Sequence, residues 1–426
     1  MSHLASAVLE PQAEPNAARR AALACMVVLA VTLGVGRFAF TPLLPLMLKG
    51  GALDIQHGGW LASANYAGYF VGAVTCAALR FDAARMVRYG LAGTVLLVLA
   101  MGVTNQFWIW AIVRFVAGAV SAWTFVFASQ WGLRRLAELG ASEWGGLIYT
   151  GPGFGIVVTG MLVSVAGGYG ATVGWLGFGM ASAVLSVVVW RVFTRTHPRA
   201  PTRTAARFTA SRGTLPRTRA DEHGNRRAAA PESVAIARAN RHLHRTDAIW
   251  LVILYAVPGF GYIITATFLP VIARAALPGS AWPDLFWPMF GVALMVGALA
   301  GARLPAHWDN RTLLAACYLL QAVGIASGIV WPTAGGFALG SVLIGLPFTA
   351  ITLFAMREAR RLHGDDASGL MGYSTAAYGL GQIAGPLVAA PIAAHSGSFS
   401  PALWLAAAVL VAGAVGLIGV ALVRRR

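Results

Sequence analysis

Charge is scarce in this chain. Only 11% of its 426 residues are charged, 58% are hydrophobic, and mean hydropathy is +0.68. Soluble domains carry about 25% charged residues. So few charges cannot cover the surface of a 44.6 kDa water-soluble protein. The composition excludes a disordered chain, a coiled coil and a secreted disulfide scaffold, and it leaves a polytopic membrane protein. Acids are rarer than bases, with 15 Asp and Glu against 32 Lys and Arg, and Lys49 is the only lysine. A pI near 11 would invite a nucleic-acid partner in a soluble protein. Between long apolar runs, positive charge reports orientation instead, and no nucleic acid is expected. The alanine- and arginine-rich bias is that of a GC-rich bacterial genome. Cysteine is limited to Cys25, Cys76 and Cys317, each inside an apolar run. An odd number at lipid depth argues against structural disulfides and for small core residues. Ala22-Leu23-Ala24-Cys25 is not expected to be a lipoprotein box, because Arg19 and Arg20 stand where an apolar stretch would precede it. The apolar run there continues past signal-peptide length.

A helix needs about 20 apolar residues to cross the hydrocarbon core. Twelve such runs are legible, near 22–48, 57–79, 87–104, 107–131, 143–166, 171–193, 247–273, 282–303, 311–331, 334–356, 367–394 and 400–423. They are apolar on all faces, which excludes a barrel with its apolar–polar alternation. With the amino terminus inside, the cytoplasmic side receives all the basic residues outside the spans except Lys49 and Arg274. The positive-inside rule then places both termini in the cytoplasm of a cell inner (plasma) membrane. The domain reading is a cytoplasmic tail (1–20), a six-helix half (21–193), a basic linker (194–246), a second six-helix half (247–423) and a short tail (424–426). The linker is rich in Arg, Pro, Thr, Ser and Ala and poor in acids. It reads as a disordered cytosolic segment lying against anionic lipid head groups.

The chain repeats itself. Gly34, Gly36, Leu44 and Pro45 recur as Gly259, Gly261, Leu269 and Pro270, an offset of 225. At an offset of 226, Arg134-Arg135-Leu136 pairs with Arg360-Arg361-Leu362, Ala141-Ser142 with Ala367-Ser368, and Gly153 and Gly155 with Gly379 and Gly381. A duplicated six-span unit has both copies in one orientation, because six is even. Parallel halves of this kind build one transporter architecture, with its site at the midplane between them.

Twelve spans, a long basic central loop and parallel halves resemble the major facilitator superfamily over residues 20–424. The string Gly34-Val35-Gly36-Arg37-Phe38-Ala39-Phe40-Thr41-Pro42-Leu43-Leu44-Pro45 resembles the first-span signature of the bacterial YbfB/YjiJ group. Ala64-Asn65-Tyr66-Ala67-Gly68-Tyr69 and Gly379-Leu380-Gly381-Gln382-Ile383-Ala384-Gly385-Pro386 fit the same group. The resemblance implies an all-α integral membrane protein of major facilitator fold and a secondary transporter working by alternating access. Arg114-Phe115-Val116-Ala117-Gly118 resembles the superfamily's Arg-x-x-x-Gly element, whose arginine is implicated in coupling in proton-driven members. The usual Gly-x-x-x-Asp-Arg loop is degraded to Leu79-Arg80-Phe81-Asp82-Ala83-Ala84-Arg85. In Gly151-Pro152-Gly153-Phe154-Gly155, Ile156 replaces the second glycine of the drug-antiporter element. The antiporter inference is therefore not drawn.

An ionisable residue inside a span costs about 2.5–3.5 kcal/mol on insertion scales and is a functional candidate by default. At about 1.5 Å per residue, Arg37 lies roughly 16 Å, and Arg114 roughly 10 Å, from the outer ends of their spans. No Asp, Glu or His falls deep in any span. Two buried guanidinium groups without buried carboxylates require backbone carbonyls, a wet cavity or an anionic solute. Arg37 is expected as the principal contact of a small organic anion. Thr41 is one turn from Arg37. Asn65 pairs with Tyr69, Tyr262 is the repeat equivalent of Arg37 with Thr265 a turn on, and Tyr378 and Gln382 share a stripe with Thr375. With Arg114, these complete the candidate substrate-binding set. Interhelical hydrogen bonding is the alternative role for each. Trp123 is read as packing. Pro42, Pro152, Pro258, Pro347 and Pro386 are expected to bend their helices.

Proton coupling normally uses a buried carboxylate or histidine. Protons would here have to enter through edge acids such as Asp54 or Asp247, or with a protonated solute. Alternatives to anion transport are efflux of apolar or cationic compounds and a non-transporting receptor or scaffold. An enzyme is not expected, because no nucleophile constellation, metal cluster or buried acid pair is present, and no cofactor is implied.

Overall fold

The computed structural model describes residues 15–51, 53–76, 78, 81–193, 231–305, 307–363 and 367–425. Residues 1–14 and 426 of the expected tails, Arg80, Asp365, Asp366 and the linker from 194 to 230 lie outside them, while 15–20 and 424–425 are helical ends of spans one and twelve. From Pro231 the backbone is already helical and runs without a break into the seventh span.

Twelve helical spans are present among the described residues, with no strand. Spans two, three, four and six are Ile55–Cys76, Ala83–Val103, Phe107–Glu138 and Gly170–Trp190. Spans seven, eight, nine, eleven and twelve are Pro231–Ala276, Pro283–Arg303, Asn310–Val330, Ser368–Ser396 and Ser400–Arg425. Three spans are interrupted. Span one is Pro15–Leu29, a π turn over Ala30–Val35 and Phe40–Lys49. Span five is Gly145–Ile148 then Gly151–Ala166, and span ten is Ala334–Gly345 then Phe348–His363. Eleven of the twelve are long and apolar enough to cross a membrane. Span two has the length, with 22 residues, but Gln56, His57, Asn65, Tyr66 and Tyr69 dilute its hydropathy.

The interruptions in spans one, five and ten lie just ahead of Pro42, Pro152 and Pro347, as expected of a residue without an N–H. Spans seven and eleven instead run unbroken through Pro258 and Pro386. Losing one hydrogen bond does not end a helix that is packed on both sides.

The two halves meet along three pairs of spans: two with eleven, five with eight, and one with seven. Within each half the repeated glycines do the same work. Gly34 lies against the backbone of Gly155, so that an added Cβ would come within 2.5 Å of the Gly155 Cα. Its equivalent Gly259 packs against span eleven, where a Cβ on Gly381 would reach the Gly259 carbonyl carbon at 3.1 Å. Gly153 and Gly379 face the opposite half. A Cβ on Gly153 would meet Met295 at 2.6 Å, and one on Gly379 would meet Phe70 at 3.0 Å. The duplication read in the sequence is thus a duplication of helix crossings.

Apart from Arg37, Arg114 and Arg274, the described arginines gather at one end of the bundle, called here the basic end. Lys49, Asp54, Arg274 and Asp284 mark the charge-poor end. Cys25 and Cys317 are buried and Cys76 is half-buried, all as free thiols.

Candidate functional site at the seam of the two halves

The π turn and the irregular stretch before Phe40 place Arg37 in an unwound part of span one, about 18 Å from Lys49 at helical rise. π bulges of this kind recur at functional sites. Arg37 is only 5% exposed. Its Nη2 donates to Gln382 Oε1 of span eleven at 2.9 Å. Its guanidinium lies 4.1 Å from the Tyr69 ring centroid and 5.1 Å from that of Tyr66, both on span two. Such contacts hold a cation without neutralising it. Its Nε has no partner, and no ion pair to it is formed among the described residues.

Gln382 also donates through Nε2 to the Tyr262 hydroxyl. Arg37 and Tyr262 occupy equivalent places in the two repeats, and one glutamine side chain bridges them. Thr41 Oγ1 donates to the Ala266 carbonyl at 2.9 Å, again joining positions 225 apart. Repeat-equivalent residues touch across the seam because the axis relating the halves passes between them. Tyr378 stacks on Tyr255 and Tyr262, with centroids 5.0 and 6.1 Å apart, to form the aromatic wall beside Gln382.

Arg114 plays a different part. A regular helix would give the Thr41 N–H to the Arg37 carbonyl. Pro42 has no N–H for Phe38, and the Thr41 N–H goes to Phe38 O instead, at 3.2 Å. The Arg37 carbonyl loses that donor. Arg114 Nη1 and Nη2 donate to it, both at 3.3 Å, while Nε reaches Leu61 O at 3.4 Å. Arg114 is 2% exposed, with its guanidinium 4.6 Å from the Phe40 ring centroid. Asn65 Nδ2 donates to the Arg114 carbonyl at 2.8 Å, beside the close crossing at Gly118.

The nine candidates therefore divide. Arg37, Tyr69, Tyr262, Tyr378 and Gln382 come together at the seam, and Thr41 ties the halves beside them. Asn65 and Arg114 serve spans one, two and four from inside the first half. Thr265 stands apart. It lines a cavity of about 20 Å³ within the second half, with Gly324, Gly340, Ser341 and Leu403. Three residues along a helix turn the side chain by 60° from the Tyr262 direction, enough to send it to another interface. Trp123 donates to Thr75 Oγ1 at 3.1 Å, so its indole does more than pack.

Sequence reasoning missed Tyr66 and Tyr255. Tyr66 faces Arg37 and hydrogen-bonds Thr267 Oγ1 across the seam at 3.0 Å. It also missed a buried ionic cluster at the basic end of the second half. Arg311 joins Asp247 of span seven at 3.0 Å and Glu358 of span ten at 2.8 Å, and Arg361 adds a second partner to Glu358 at 2.6 Å. Asp247 and Glu358 were visible as edge acids, but their convergence on Arg311 depends on three spans meeting.

Among the described residues, the side-chain hydrogen bonds joining the halves are Arg37 to Gln382, Thr41 to Ala266, Ser63 to Ile383 and Tyr66 with Thr267. All lie between mid-span and the charge-poor end. Thr75 and Thr375, nearer the basic end of spans two and eleven, are exposed.

Twelve spans in two parallel halves, closed on a polar cluster at mid-span, define a major facilitator transporter. The fold matches the crystal structure of the nucleoside transporter NupG, with a TM-score of 0.65 at 12% identity over 95% of this chain and 99% of that one. It also matches the D-xylose-proton symporter, with a TM-score of 0.67 at 12% identity over 94% and 97%. At family level, the chain belongs to the group described as uncharacterised MFS-type transporter YbfB, which matches residues 29–219 and 224–417. It is also similar to chloramphenicol efflux pumps of two Mycobacterium tuberculosis strains, 28% and 29% identical over 199 residues. That match spans 44% of this chain and 45% of each pump, less than half their length.

Proposed function

We propose that this transporter carries a small organic anion across a bacterial inner membrane by alternating access, with Arg37 as its principal contact. The observation carrying this reading is a guanidinium 5% exposed at mid-span that meets an amide oxygen and aromatic side chains but no carboxylate among the described residues. An anionic solute would supply the missing counter-charge in a place where desolvation makes it count. The clustering of arginines at one end supports a cytoplasmic basic end and cytoplasmic termini. The joined charge-poor ends then correspond to the inward-facing state. The arginine-rich linker between the halves would lie near anionic lipids.

Coupling is narrowed by the same geometry. Asp247 and Glu358 each face the Arg311 guanidinium and are poorly placed to release and rebind a proton. A proton would travel with the solute or use the exposed Asp54–His57 pair, whose ring nitrogen and carboxylate are 2.8 Å apart.

The test is uptake of radiolabelled carboxylates into proteoliposomes, with and without a pH jump, for wild type and Arg37→Gln. Saturable uptake lost in Arg37→Gln supports the reading, and full transport by that variant sinks it. Efflux of an uncharged drug is the second reading, favoured by the 199-residue similarity to the pumps. Chloramphenicol resistance conferred equally by wild type and Arg37→Gln would establish it.

A further inference from the structure

In a guanidinium the Nε–H and the outer Nη2–H point the same way. Together they form the side-on fork that takes both oxygens of a carboxylate. In Arg37 this edge is only partly used. Nε is buried with no partner, and Nη2 is held by Gln382 Oε1 at 2.9 Å. A single amide oxygen thus engages one of the two nitrogens of this fork, and the other has no partner. The other polar atom of Gln382, Nε2, cannot fill the rest, because it is a donor, and it donates to the Tyr262 hydroxyl. The other groups against the guanidinium are the Phe38, Tyr66 and Tyr69 side chains, and none of them gives Nε a partner.

We propose that Gln382 is an internal stand-in for the carboxylate of the solute and is displaced from Arg37 when the solute binds. This rests on the anion reading and sharpens it to a carboxylate held side-on by Nε and Nη2. Displacement has a second consequence. The Arg37–Gln382 bond is the seam bond farthest from the charge-poor end, the first that a solute arriving from the basic end would meet. Exchanging it for solute removes one tie between spans one and eleven while leaving those at Thr41, Ser63 and Tyr66. Gln382 is then a specificity-determining residue, because a solute must outbid it and a lone hydroxyl or amide gains nothing by the exchange.

The experiment uses the full-length protein in detergent, with benzoate and lactate against benzamide and lactamide as probes. Binding is read by melting temperature and by calorimetric Kd. Wild type is expected to bind the carboxylates and ignore the amides. Gln382→Leu should bind the same carboxylates about tenfold tighter, since nothing must be displaced. Arg37→Lys, which keeps the charge and loses the fork, should lose the response. Gln382→Glu supplies a carboxylate from within, so it should melt higher than wild type without solute and ignore added carboxylate. If carboxylates bind wild type but Gln382→Leu binds them equally or more weakly, displacement is overturned and the anion reading stands. If no carboxylate binds wild type, the anion reading loses its support. Gln382→Glu then decides the fork alone: a raised melting temperature upholds it, and a lowered one, as expected of an unpaired buried acid, overturns it.

Discussion

The two halves share their backbone crossings and differ in how they hold their basic ends. In the second half, Arg311, Asp247 and Glu358 form a buried ionic cluster, joined by the exposed Arg361, by Asn310 and by the Val420 carbonyl. In the first half the corresponding region is apolar. Ala22, Cys25, Val28, Ala128, Leu136, Ile148 and Phe193 pack together there. Gly132 stands where the repeat has Glu358, and a Cβ on it would come within 2.8 Å of both Cys25 and Ile148. Duplication preserved the small residues that let helices cross, because a crossing at backbone distance tolerates no side chain. It did not preserve the chemistry around those crossings, because apolar packing and a satisfied ion cluster are alternative solutions of similar worth.

The largest effect should come from breaking the cluster. Arg311→Met leaves Asp247 without its Arg311 contact and Glu358 with Arg361 and the Asn310 amide, and removing one member of a buried pair costs about 3–5 kcal/mol. A fall in melting temperature well beyond that of any single first-half substitution at the basic end is expected. Converting Arg311, Asp247 and Glu358 together to Met, Leu and Leu should recover much of it. A triple variant no better than Arg311→Met would show that the cluster is not interchangeable with packing.

Next in size are the shared crossings. Gly34→Ala places a Cβ 2.5 Å from the Gly155 Cα, and Gly259→Ala places one 2.3 Å from the Tyr378 carbonyl oxygen. Overpacking of this kind costs about 1–3 kcal/mol. The two should lower the melting temperature alike, and a difference of more than 1 kcal/mol would mean that the repeats no longer pack equivalently. Gly153→Leu drives a side chain into Met295 and Gly291 across the seam and should impair transport as well as stability.

A subtler contrast concerns span one. Pro42→Ala restores the N–H that Phe38 lacks, freeing the Thr41 N–H for the Arg37 carbonyl. The loss caused by Arg114→Gln should then shrink in the Pro42→Ala background, read as a double-mutant cycle in melting temperature. Additive effects would contradict the account of Arg114 given by the backbone hydrogen bonds. The smallest effect belongs to Asp54, outside the spans. The His57 backbone amide holds its carboxyl below the usual value. A depressed folded-state value contributes stability above the unfolded pKa, about 3.9, and loses it as pH falls through the folded value. Asp54→Asn should flatten stability between pH 5 and 3 by well under 1 kcal/mol, because the pair is exposed.

The fold was legible in the sequence because lipid demands long apolar runs, and the repeat was legible because glycine crossings permit few replacements. Arg37, Tyr69, Tyr262, Tyr378 and Gln382 were legible as polar residues at mid-depth on spans one, two, seven and eleven. Arg114 was legible as a buried charge but not as a cap. Its role depends on which carbonyl Pro42 orphans and on span four lying beside it. Thr265 was misplaced because a spacing of three residues was taken as one face when it is a 60° departure. The ionic cluster was hidden because Asp247, Arg311 and Glu358 sit at span ends, where acids and arginines are ordinarily solvated.

Lys49 closes span one at the charge-poor end, exposed and with no other lysine in the chain. Amine-reactive chemistry at alkaline pH therefore has one side-chain target in the whole molecule. A fluorophore placed there would ride on the segment beyond the break at Arg37. Its environment would report, without any engineered cysteine, each time that end of the protein parts.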